Sequence, residues 1–143
     1  MYLTEAMIDT MVREAMDAIK NAYVPYGNFG VGACVLASDG TFYKGCTIEN
    51  TTPRLSASAE EVALYQAVAD GKREFDGIAV IADTEKPFIP NGGVCQILAE
   101  FNVPEVVMAN MTGDVLHLEL KDLLPYGIKI RDNGIHDDEM QEE

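Results

Sequence analysis

The sequence predicts an α/β protein in which helices cover a mixed five-stranded sheet, and three observations lead there. Apolar periodicities switch along the chain in the order helix, strand pair, helix, strand, helix, strand, strand. The length of 143 residues suits one domain spanning 1–143, with enough chain for a sizeable core. The composition, 48% apolar and 24% charged, is that of an ordinary globular chain, with no linker and no internal repeat.

The first helix is expected from Glu5 to about Ala22. Ile8, Val12, Ala15, Met16 and Ile19 recur at helical spacing, Thr4 is placed to cap the start, and Pro25 closes the segment. Gly30 to Leu36 and Thr41 to Glu49 read as strands joined by the turn Ser38-Asp39-Gly40. A polar loop from Asn50 to Leu55 leads to a helix from Ser58 to about Ala69, and Ser58-x-x-Glu61 matches a capping box. Ile78-Ala79-Val80-Ile81-Ala82 has the unbroken apolar character of a buried, parallel-type strand. After Pro87 and Pro90 a helix is expected from near Asn91 to Phe101. Strands follow at Val106–Ala109 and Val115–Leu120, then a short helical turn at residues 120–124. The acidic tail, about 132–143, is expected to fray.

A formal net charge of −14 argues against nucleic-acid phosphates and anionic membranes as partners, since both are bound through Lys and Arg. No stretch approaches the roughly 18 apolar residues of a membrane span. Met1-Tyr2-Leu3-Thr4-Glu5 lacks the basic start and apolar run of a signal peptide, so the expected location is the cytoplasm. Cys34, Cys46 and Cys95 form no C-x-x-C pair, which makes a disulfide framework improbable there. Cys34 lies in an apolar run and is expected to be a buried, inert thiol.

Five stretches carry a resemblance: residues 22–33 (Ala-Tyr-Val-Pro-Tyr-Gly-Asn-Phe-Gly-Val-Gly-Ala), Gly45-Cys46-Thr47-Ile48-Glu49-Asn50, Ser58-Ala59-Glu60, Pro90-Asn91-Gly92-Gly93-Val94-Cys95-Gln96, and Leu123-Leu124-Pro125. In this order and spacing they resemble the small homotetrameric cytidine deaminases. The resemblance implies a three-layer α/β/α cytidine-deaminase-like fold. It implies a site where zinc activates water against C4 of cytosine and a glutamate beside a metal ligand carries protons. Glu60 matches that glutamate. Phe29 matches the aromatic that packs on the pyrimidine, and Glu49 the carboxylate that accepts the ribose hydroxyls. Thr47 stands where the family has an Asn, and Ala59 keeps its place between Ser58 and Glu60 in the substrate pocket.

The departures fall on the metal. The family pattern is Cys-Ala-Glu-Arg, then Pro-Cys-Gly-x-Cys-Arg-Gln, whereas the three ligand positions here are Ser58, Asn91 and Val94, and Glu61 and Cys95 replace the two arginines. A tetrahedral zinc site draws on thiolates and imidazoles. Ser58 with Glu61, and Asn91, are better explained as helix caps. Asn91 with Glu60 and Glu61 as oxygen ligands to a hard cation is the alternative, and Val94 excludes a third ligand in its place. Cys95 is turned about 100° from the lost ligand on a helix. It reads as a packed free cysteine or, in a first turn, as a thiol of lowered pKa. Neither His117 nor His136 lies in a recognisable motif with it.

These replacements lead to the expectation of a protein that binds a nucleoside or related small molecule without zinc-dependent deamination, and with no cofactor. The alternatives are an active cytidine or nucleoside deaminase, a metal-free nucleoside-modifying hydrolase using Glu60, and a non-catalytic subunit of an oligomer. By resemblance the assembly is a homotetramer.

Overall fold

The computed structural model describes residues 2–130. Five strands form one sheet in the order β2-β1-β3-β4-β5, where β1 is Val31–Ala37, β2 Phe42–Cys46, β3 Phe75–Ala82, β4 Glu105–Asn110 and β5 Val115–Glu119. β1 runs antiparallel to both β2 and β3, β3 is parallel to β4, and β4 is antiparallel to β5. The sheet is therefore mixed, as the sequence predicts. The parallel-type reading of β3 holds on one side only, because its other neighbour, β1, is antiparallel. Its unbroken apolar run follows from helices covering both faces of a central strand.

α1 (Glu5–Ala18) covers one face, burying Met11 and Ala15 against Cys34, Leu36, Ile81 and Val107. α2 (Ala59–Ala69) and α3 (Gly92–Glu100) cover the other, where Leu64 and Leu98 meet Ala33, Val35, Val80 and Met108. Alternation along β1 sends Ala33 and Val35 one way and Cys34 and Leu36 the other, which makes the three layers. Each fully buried Leu contributes about 1.5–3 kcal/mol over its exposed state. α4 (Leu120–Leu123) is a single turn after β5. Among the described residues no helix is long and apolar enough to cross a membrane.

Several boundaries differ from expectation: β3 starts at Phe75, three residues before its unbroken apolar run, and the ends of α1 and β2 differ for physical reasons. α1 gives way at Ile19 to a 3-10 turn, Ile19–Asn21, because the chain must swing Tyr23 onto the segment after β2. There Tyr23 N–H donates to Thr47 O at 2.9 Å and its carbonyl accepts from Glu49 N–H at 2.8 Å. β2 ends at Cys46 rather than Glu49, since Ile48 leaves the ladder to bridge Tyr23 on one side and Ala57 on the other. A 3-10 turn at Pro53–Leu55 lies within the expected polar loop. Cys34 is fully buried, and burial pushes its thiol up to about 12. The acidic tail lies outside the described residues.

Gly45 sets the seat of α2. A Cβ there would lie 2.3 Å from Ala59 O and 2.4 Å from Ala63 N, so only glycine lets β2 and the start of α2 approach this closely. That contact fixes where the first turn of α2 presents its side chains.

Candidate active site

The first turns of α2 and α3 open on the same side of the sheet. Ser58 caps α2: its Oγ accepts from Glu61 N–H at 3.1 Å, and Glu61 Oε2 accepts from Ser58 N–H at 2.9 Å. Asn91 caps α3, its Oδ1 accepting from Val94 N–H at 2.9 Å. Val94 and Ala59 are buried in the core on the α2/α3 face. The polar atoms of Ser58 and Asn91 thus serve backbone donors that a helix start would otherwise leave orphaned.

Glu60 is the second residue of α2 and is only 3% exposed. Burial pushes its carboxyl up to about 7, its own backbone N–H opposes the shift, and the charge of Glu61 adds to it. A helix N-terminus favours a carboxylate, but by far less than burial penalises one, and burial wins here. A carboxyl titrating near neutrality gives and takes a proton with almost equal ease.

Cys95 is 2% exposed and its Sγ donates to Pro90 O at 3.8 Å. Burial, then the charge of Glu60, push the thiol up. This is the opposite of the lowering that a first-turn cysteine would need to act as a nucleophile. His117 is engaged elsewhere: its Nε2 lies 2.7 Å from Oε1 of the buried Glu105, which also accepts the amides of Tyr2 and Leu3. His136 lies outside the described residues.

The second part of the site surrounds the loop before β1. Glu49 Oε1 accepts from Tyr26 N–H at 2.9 Å and Gly27 N–H at 3.1 Å. A Cβ at Gly27 would lie 2.7 Å from Glu49 Oε2, so a side chain there would displace the tip of this carboxylate. An open cleft of about 410 Å³ adjoins this carboxylate, with Tyr26, Asn50, Pro53 and Ser56 in its walls. Thr47 Oγ1 accepts from Val31 N–H at 2.9 Å, so this hydroxyl is tied to the start of β1. Phe29 is 44% exposed and meets Phe88, with ring centroids 6.2 Å apart and the planes tilted by 40°.

Three of these features escape a reading of local pattern. The Tyr26 and Gly27 amides on Glu49 arise from a fold-level contact 22 and 23 residues apart. The Glu105 contacts to the N-terminal segment span more than 100 residues. Phe88 offered one signal, an aromatic set between Pro87 and Pro90 in a loop leading to a site helix.

α2 and α3 thus pack on one face of a mixed sheet, with Glu60 buried in the first turn of α2. The chain belongs to the cytidine and deoxycytidylate deaminase family, whose zinc-binding region matches residues 6–110. It is 43% identical over 121 residues to a cytidine deaminase of Sporosarcina psychrophila, covering 82% of this chain and 88% of that one. It is 39% identical over 117 residues to a cytidine deaminase of Halalkalibacterium halodurans, covering 80% and 89%. The crystal structure of cytidine deaminase from Burkholderia pseudomallei superposes with a TM-score of 0.82 at 39% identity, over 88% of this chain and all of that one.

These findings correct two expectations. A binder without deaminase activity is overturned by relatives of this identity and coverage, which are themselves named cytidine deaminases. The expectation of no cofactor is overturned by a family defined by a zinc-binding region. Both expectations rested on the residues at 58, 91 and 94, and a change of ligand type does not by itself abolish a family's reaction. The residues present nevertheless do not fit a thiolate cage. Ser58 and Asn91 place their oxygens on backbone amides, Val94 has no donor atom, and among the described residues no three His, Cys, Asp or Glu side chains are grouped to hold an ion.

Proposed function

We propose that the protein is a nucleoside deaminase of the cytidine type, a hydrolase that replaces the exocyclic amine of a pyrimidine nucleoside by oxygen and releases ammonia. The observation that carries this reading is Glu60, a carboxyl poised at about 7 in the first turn of α2. As a carboxylate it accepts one proton from the attacking water and delivers it to the ring nitrogen; it then takes the second proton, from the hydroxyl now on C4, and gives it to the departing amine as the carbonyl forms and the C–N bond breaks. Water is consumed, ammonia leaves, and Glu60 ends in the state in which it began.

The supporting residues take their roles from the family match and their local geometry. Phe29 lies against the base, and Ala59 forms the wall beside Glu60. Glu49, with one oxygen held by the loop amides, offers the other to the sugar hydroxyls. Thr47 holds the start of β1 and has no amide to offer, so sugar recognition rests on Glu49. Ser58, Asn91 and Val94 mark a divergent member of the family, and no step is assigned to them. The reading takes the protein as a cytoplasmic homo-oligomer, a tetramer by resemblance, acting on small nucleosides and not on nucleic acid.

Incubation with cytidine, followed by chromatography for uridine and an assay for ammonia, tests the proposal, with zinc content measured on the same preparation. Turnover that falls about 10²–10⁴-fold in Glu60→Gln supports it. Absence of turnover across cytidine and deoxycytidine, or turnover indifferent to Glu60→Gln, overturns it.

A further inference from the structure

We infer that Phe88 is a positioning residue for the base, holding the Phe29 ring so that its open face is presented to the pyrimidine. This rests on the proposed role of Phe29 at the base. Phe29 sits on the loop before β1, directly after Asn28, which takes a left-handed φ of 53°. The ring is 44% exposed. A half-exposed ring on a loop has little of its own to fix its two side-chain torsions.

Phe88 supplies what is missing. It follows Pro87 on the loop between β3 and α3, and its N–H donates to Ala109 O at 3.2 Å, which ties it to β4. Its ring is half-buried and packed against the core between the sheet and α2/α3. The two loops meet because Val31, which opens β1, pairs with Ala82, which closes β3. The rings are 6.2 Å apart with a 40° tilt, within the range of favourable aromatic pairs, and this is the one ring pair among the described residues. A core-anchored ring thus braces an exposed one. A preset ring spares the ligand the entropy of ordering it, so the effect belongs to binding and not to proton transfer.

The test compares Phe88→Leu, which keeps apolar bulk but no ring, with Phe88→Tyr, which keeps the ring. In cytidine turnover, Phe88→Leu is expected to raise KM about three- to tenfold with kcat unchanged, and Phe88→Tyr to stay near wild type. In a Phe29→Leu background, Phe88→Leu should add nothing. An unchanged KM, a fall in kcat alone, or an effect as large without the Phe29 ring as with it overturns the inference. If the wild-type protein turns over no nucleoside, the function proposed above has failed. Phe88 is then judged by NMR relaxation of ring-labelled phenylalanine: Phe29 ring order that falls in Phe88→Leu and recovers in Phe88→Tyr sustains it, and unchanged order in Phe88→Leu overturns it.

Discussion

A carboxyl at the start of a helix is ordinarily kept ionised by the amides and dipole around it, and Glu60 departs from that rule because it is buried. Its pKa is raised from 4.5 to about 7, so the folded protein holds a proton that the unfolded chain has released. The native state therefore binds more protons than the unfolded state between these values. Its contribution to stability is fully present below about 4.5, is lost as pH rises, and is gone above about 7. The loss across this window is about 3 kcal/mol. Denaturant unfolding between pH 5 and 8 should show the slope in the wild type and not in Glu60→Gln. The same group sets the expectation that kcat/KM falls on the acid side of an apparent pKa near neutrality, measurable from the pH–rate profile.

At the scale of elements, the start of α2 is the sensitive point, because it carries Glu60 and is seated by one glycine and closed by one cap. Ser58→Ala removes the acceptor for Glu61 N–H and should cost about 1 kcal/mol in chemical unfolding. Gly45→Ala is expected to be far more damaging. A methyl group 2.3 Å from Ala59 O must push α2 off β2, lowering both the melting temperature and turnover. Much of this was legible beforehand. The caps at Thr4, Ser58 and Asn91 and the turn Ser38-Asp39-Gly40 are local signals with local causes. The end of α1, the exit of Ile48 from its ladder and the brace at Phe88 were not legible, because each depends on residues distant in sequence meeting at one end of the sheet. The roles proposed for Glu60 and Glu49 are legible only as family pattern, while the burial that raises the Glu60 pKa is visible only in the fold. The expectation of a binder without deaminase activity rested on three ligand positions, and it is overturned by the rest of the chain, which matches relatives named cytidine deaminase in sequence and fold.

For the whole molecule, the dominant fact is a formal net charge of −14 on 143 residues. Self-repulsion of that size opposes the compact state, and its range shrinks as salt is added. The melting temperature should therefore rise between 0.05 and about 0.5 M sodium chloride, with most of the gain at the low end. A melting temperature that falls with salt would show that the exposed ion pairs of Lys44 with Asp17 and of Lys72 with Asp39 outweigh the repulsion. The N-terminal segment is pinned independently of such surface pairs. Glu105→Ala would strip the acceptor from the Tyr2 and Leu3 amides and loosen that segment, read as faster hydrogen exchange there with the rest of the sheet protected.

The closed cap at Ser58 and Glu61 also bears on how the protein comes into being. A helix whose first amides are satisfied by its own side chains does not wait for an ion to finish its first turn. Losing that cap in Ser58→Ala should therefore fray the first turn of α2 alone, read as faster hydrogen exchange at its amides. At this helix the order of events is free: the first turn can close before any other part of the site is in place.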